Sequence, residues 1–117
     1  MLDALLGNKT AERALLYIAN YGEGHTSGIA STFDLPKSQV YKQLLRLEAG
    51  RILVAREVGN CRMFTFNPRL PYKSELQLLL EKAITLLPEL EVKQYFSQRR
   101  RPRRIGKKIA IGLNAKD

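Results

Sequence analysis

The chain has 117 residues, 44% of them hydrophobic, and a formal net charge of +9, so it can bury one modest core and is expected to form one domain with an extension. No apolar run approaches a bilayer span and the first residues lack a signal-peptide pattern, which predicts a cytoplasmic protein without membrane contact. A single cysteine, Cys61, excludes an internal disulfide framework, and with His25 as the only histidine there is no thiolate or imidazole set for a metal site within one chain.

Residues 2–6 are a short apolar lead ending at Gly7-Asn8. Thr10 is a candidate cap for a helix running to about Tyr21, with Ala14, Leu15, Ile18 and Tyr21 on one face and Gly22 as its stop. Thr26 or Ser27 can cap a second, short helix in which Ile29, Ala30 and Phe33 face inward. Asp34 then suits a left-handed turn position. The stretch Leu35 to Leu47 reads as the recognition helix of a helix-turn-helix: Val40, Leu44 and Leu47 recur at i, i+4 and i+7 and make one apolar stripe. Lys37, Ser38, Gln39, Tyr41, Lys42 and Arg46 are left on the other surfaces, with hydrogen-bonding groups and cations but no carboxylate. Pro36 sits near the first turn, and Gly50 lies where a left-handed cap is wanted.

After Gly50 the period changes to short β-rich runs, Ile52–Val58 and Cys61–Phe66, separated by Gly59-Asn60, a two-residue connection suited to a primed hairpin turn. A hairpin directly after a recognition helix is a wing. Phe64 and Phe66 share the side of the strand that faces the core, Arg56 and Arg62 flank the tip together with Asn60, and Asn67-Pro68 ends the strand. Cys61 reads as a small, half-buried hairpin residue; the alternative is a redox-sensitive thiol beside Arg62.

From Lys73 to about Leu87 apolar residues return at helical spacing as Leu76, Leu79, Leu80, Ala83, Leu86 and Leu87. Pro88 interrupts before a further short helix containing Leu90, Tyr95 and Phe96. A small winged core is already covered by its own three helices, so this stripe is expected to dimerise with a second copy rather than pack back on its own domain. A chain cut after about Leu70 is then expected to fold as a monomer. The organisation expected is 1–72 winged helix-turn-helix, 73–98 C-terminal helices, and 99–117 a basic tail. The fold class is mainly α with a β-hairpin wing.

Charge follows the same divisions. Residues 99–117 carry +7, and 37–73 hold eight Lys/Arg against two carboxylates, whereas 1–36 and 74–98 are each −2. Positive charge is gathered where phosphate would be met. The tail cations Arg99, Arg100, Arg101, Arg103, Arg104, Lys107 and Lys108 read as an arm laid along a phosphate backbone or in a minor groove; the plainer alternative is a solvated, solubilising tail.

The order helix, helix, LPKSQVYKQLLRLEAG, hairpin with a Gly-Asn tip, long helix resembles the winged helix-turn-helix transcriptional regulators of the arsenical-repressor-like superfamily, over roughly residues 9–87. The junction Leu47-Glu48-Ala49-Gly50 looks like the LxxLExxG passage of such proteins, with one residue fewer between Glu48 and Gly50. Within them the chain is similar to small prokaryotic winged-helix proteins encoded with, or fused to, minimal nucleotidyltransferases, which often open LxxLxGxKTRxRLL; here the opening reads LDALLGNKTAERALL. Metal-sensing members need Cys or His pairs that this chain lacks, so that effector class is not carried over.

No catalytic constellation is present: there is no P-loop, no GxGxxG and no transferase motif, and His25 stands in a polar loop without a second histidine. A binder without cofactor or metal is expected. The first reading is a dimeric, sequence-specific regulator of transcription acting on double-stranded DNA, an autorepressor, with Ser38, Gln39, Tyr41 and Lys42 at base edges. A second is a protein-interaction module, such as an antitoxin docking a nucleotidyltransferase-like partner encoded nearby. A third is an RNA binder using the Arg-rich tail.

Overall fold

Asn8, not Thr10, caps the first long helix. With its backbone extended, its side chain accepts from the N–H of Ala11 at 2.8 Å, while Thr10 is already inside the first turn of α2 (Lys9–Tyr21). A computed structural model describes residues 1–98; the tail expectations for 99–117 lie outside the described residues. Gly22 ends α2 in a left-handed conformation at φ 89°, as expected. Residues 2–6 form more than a lead: Asp3–Leu6 is a one-turn helix, α1, and the N–H of Leu2 donates to Glu12 Oε2 at 2.8 Å. Glu12 is 3% exposed and sits in the first turn of α2, where the helix dipole favours a carboxylate.

The second helix, α3 (Thr26–Phe33), starts from an extended His25 that makes no side-chain cap bond, so neither Thr26 nor Ser27 is the cap. The His25 carbonyl already accepts from Ile29 N–H at 3.1 Å, which draws Thr26 inside the helix. Asp34 takes the left-handed turn at φ 56° and ψ 53°. Pro36 then precedes α4 (Lys37–Ala49), whose Val40, Leu44 and Leu47 are buried in one core with Leu15, Ile18, Ile29 and Phe33.

Gly50 does not adopt the left-handed cap; its φ is −81°, and Arg51 takes the positive φ of 66° instead. The reversal falls one residue later because Arg51 N–H and Ile52 N–H bond back to Glu48 and Leu47, and Asn67 Nδ2 holds the Arg51 carbonyl at 2.9 Å. The hairpin follows as β1 (Leu53–Val58) and β2 (Cys61–Phe66), antiparallel, with Leu53 opposite Phe66 and Val58 opposite Cys61. Gly59 has φ 62° and Asn60 does not, the pattern of a type II′ turn. Leu53, Phe64 and Phe66 are buried, and Cys61 is half-buried.

One pairing has no signal in the sequence. Gly24, in the loop between α2 and α3, exchanges backbone hydrogen bonds with Phe64 at 3.0 and 2.8 Å and so adds a bridge beside β2. A Cβ there would lie 2.9 Å from the Tyr17 ring and 3.1 Å from Ile29, so the close approach requires glycine.

The leucine stripe divides between two surfaces. On α5 (Lys73–Thr85) Leu80 and Ala83 are buried in the common core, and Leu76 and Leu87 pack partly against it, so these four cover the chain's own α2 rather than a partner. A short core of three helices leaves the α2 flank open, and α5 closes it. Only Leu79 and Leu86 of the stripe stay exposed, at 38% and 60%, joined by Leu78 and Leu90, at 65% and 79%. The last helix, α6 (Glu89–Phe96), is tied to the end of α2: Tyr21 donates to the Tyr95 carbonyl at 2.7 Å and Asn20 to that of Phe96 at 3.0 Å. Residues 73–98 therefore belong to the same core as 1–72, and a chain cut after Leu70 would expose it.

Candidate nucleic-acid interface

Thirteen residues make α4 about 20 Å long, at 1.5 Å per residue. Its inner face is fully committed to the core, which fixes its rotation. Lys37, Ser38, Gln39, Tyr41 and Lys42 are exposed together on the outer face, and Leu45 is exposed beside them at four residues from Tyr41. Leu45 went unassigned in the sequence because the apolar stripe does not need it; its i+4 spacing from Tyr41 was the available signal. Lys37, Lys42, Arg51 and Arg69 are exposed and make no ion pair among the described residues.

The three predicted arginines among the described residues are held by the protein itself. Arg46 donates from Nε to Gln43 Oε1 at 2.9 Å and from Nη2 to the Leu6 carbonyl at 2.8 Å, and Asn8 Nδ2 reaches the same Gln43 oxygen at 3.0 Å. It thus fastens α1 to α4 while remaining exposed at the surface. Arg56 pairs with Glu23 at 2.9 Å, joining the wing to the loop before α3. Arg62 makes a bidentate pair with Glu48, Nη1 to Oε1 at 3.0 Å and Nη2 to Oε2 at 2.9 Å, and lies 5.5 Å from the centroid of the Phe64 ring. Hydrogen bonding to Glu48 is the largest cause raising the Arg62 pKa. At the wing tip, Val58, Gly59 and Asn60 are exposed.

Gln98 marks where the basic segment departs. Its N–H donates to the Tyr21 hydroxyl at 3.1 Å and its Oε1 accepts from Thr32 Oγ1 at 3.2 Å, which places it beside the last turn of α3, next to the turn that leads into α4. Burial raises the Tyr21 pKa, against the opposing hydrogen bond from Gln98.

Elsewhere the surface offers little. Among the described residues, no group of three or more His, Cys, Asp or Glu side chains is placed to hold a metal, and no helix is long and apolar enough to cross a membrane. A small pocket of about 30 Å³ between the start of α2 and α6 is lined by Glu12, Arg13, Phe33, Glu91 and Tyr95.

Two packed helices with a tight turn, a third lying across them, a hairpin behind it and a bridge from Gly24 define a winged helix. The chain is similar in structure to YusO of Bacillus subtilis, with a TM-score of 0.52 at 22% identity over 78% of this chain and 71% of that one. It is also similar to a ZitR variant of Lactococcus lactis in apo form, with a TM-score of 0.51 at 18% identity over 73% of this chain and 67% of that one. These likenesses show the fold. No family model matches the sequence, and no curated protein matches it.

Proposed function

We propose that the protein is a sequence-specific double-stranded DNA-binding regulator of transcription that works as a homodimer and represses its own operon. The observation that carries this reading is the outer face of α4, where Lys37, Ser38, Gln39, Tyr41 and Lys42 stand exposed without a carboxylate among them while the opposite face is locked into the core. A helix presented in this way enters the major groove: Lys37 and Lys42 meet phosphate or guanine, Gln39 takes adenine, and Leu45 suits a thymine methyl. Asn60 and the tip backbone reach the flanking groove. Gln98, the last described residue, lies beside the α3–α4 corner, and the cations of 99–108 that follow it in sequence add sequence-independent affinity.

The dimer is assigned to Leu78, Leu79, Leu86 and Leu90, the large apolar residues that α5 and α6 leave exposed. The same leucines favour a second reading, docking of a partner protein such as a nucleotidyltransferase-like toxin. Selection of duplexes from a random pool, followed by footprinting, tests the first. Recovery of a two-fold repeated half-site is the expected result, and enrichment of no sequence, or binding only to structured RNA, overturns it.

A further inference from the structure

Glu48 occupies a place where a carboxylate is penalised twice. It stands in the last turn of α4, where the carbonyl end of the helix dipole repels negative charge, and on the one helix here assigned to DNA. Its exposed neighbours on that helix are neutral or cationic. The offset comes from Arg62 on β2, whose planar fork meets both carboxylate oxygens at 3.0 and 2.9 Å. Glu57, directly opposite Arg62 in the strand register, lies 3.9 Å from its Nε. Two residues along β2, Phe64 is fully buried and bridged to Gly24, so this strand is anchored in the core.

The geometry points to Glu48 and Arg62 as a latch that sets the angle of the wing against the recognition helix, making Arg62 a positioning residue and not a phosphate ligand. This rests on the DNA-binding reading above. The Glu48 pair takes one N–H from each of Nη1 and Nη2, so the Arg62 guanidinium is oriented by Glu48 and its charge is already partnered before any phosphate arrives. Phe64 anchors the base of β2, and the Glu48–Arg62 pair ties the half of the hairpin nearer the tip to α4. The latch keeps wing and helix as one rigid reader, so the ordering of the two is complete before binding and is not subtracted from affinity.

The test compares Glu48→Gln, Arg62→Gln and the double variant. Amide hydrogen exchange over 57–63, read without DNA, is expected to quicken in both single variants and no further in the double. Binding is read on a duplex selected from a random pool and on a mixed-sequence duplex, each at several salt concentrations. Each single variant is expected to lose roughly tenfold on the selected duplex and the double no more, the non-additivity of one coupled pair. Glu48→Gln should leave mixed-sequence binding equal or tighter, since it removes a negative charge. The salt slope of Arg62→Gln should change by well under the value of about 0.9 that one phosphate contact per chain contributes. Unchanged exchange in both variants overturns the latch, as does a Glu48→Gln protein that binds the selected duplex more tightly while Arg62→Gln loses a full contact of slope. Failure of the unaltered protein to hold any duplex would count against the DNA reading alone, because the exchange measurement reads the latch without it.

Discussion

Arg46, on α4, donates to the carbonyl oxygen of Leu6 at 2.8 Å across a separation of 40 residues. The contact ties α1 to α4 and gives Arg46 a role in the fold. Arg46→Ala is therefore expected to lower stability by about 0.5–1.5 kcal/mol, the usual net worth of a hydrogen bond, in urea denaturation. The salt slope of DNA binding should stay unchanged. An unaltered unfolding midpoint with a slope reduced by about 0.9 per chain would return Arg46 to the phosphate contacts.

Gln39 stands exposed on the first turns of α4. Gln39→Ala should weaken binding to the selected duplex by about 1–3 kcal/mol and leave mixed-sequence binding nearly intact, because a base-edge contact carries discrimination rather than bulk attraction. Equal losses on both duplexes at one salt concentration would remove Gln39 from the readers.

The two surfaces of α5 separate by substitution. Leu79→Asp with Leu86→Asp changes exposed positions, so the fold should persist while sedimentation moves from dimer to monomer. Leu80→Ala, at a residue with no exposure, should cost about 2–5 kcal/mol of stability through the cavity it leaves. A chain already monomeric at micromolar concentration would overturn the dimer and leave these leucines to a partner protein.

Gly24 admits no side chain without displacement of Tyr17 or Ile29. Gly24→Ala is expected to destabilise by about 1–3 kcal/mol, the range for overpacking, with the strongest loss of amide protection at Phe64, whose N–H is bonded to the Gly24 carbonyl. A melting temperature equal to that of the parent would show that the bridge yields at little cost.

Removal of residues 99–117 takes away a net +7. Specific and mixed-sequence binding should weaken by similar factors and the salt slope should flatten by at most roughly 6 per chain, at about 0.9 per phosphate, with the half-site preference retained. An unchanged slope with loss of a protein partner would assign the tail to docking instead.

The helix-turn-helix and its wing were legible in the sequence because their signals are local. Val40, Leu44 and Leu47 repeat at the helical period, Asp34 can take a left-handed turn, and Gly59-Asn60 joins two β-rich runs; each depends on residues within a turn or two of one another. What the chain does with its surplus groups depends on distance in space. Leu80 and Leu86 share one stripe in the sequence, yet one closes the flank of α2 and the other faces solvent, since only the crossing of α5 over α2 decides which side is covered. Arg46, Arg56 and Arg62 read alike as free cations beside a reading helix. Tertiary structure alone brings Leu6, Glu23 and Glu48 within 3 Å of them, and a guanidinium that already has its acceptors is a strut of the fold before it is a ligand for DNA.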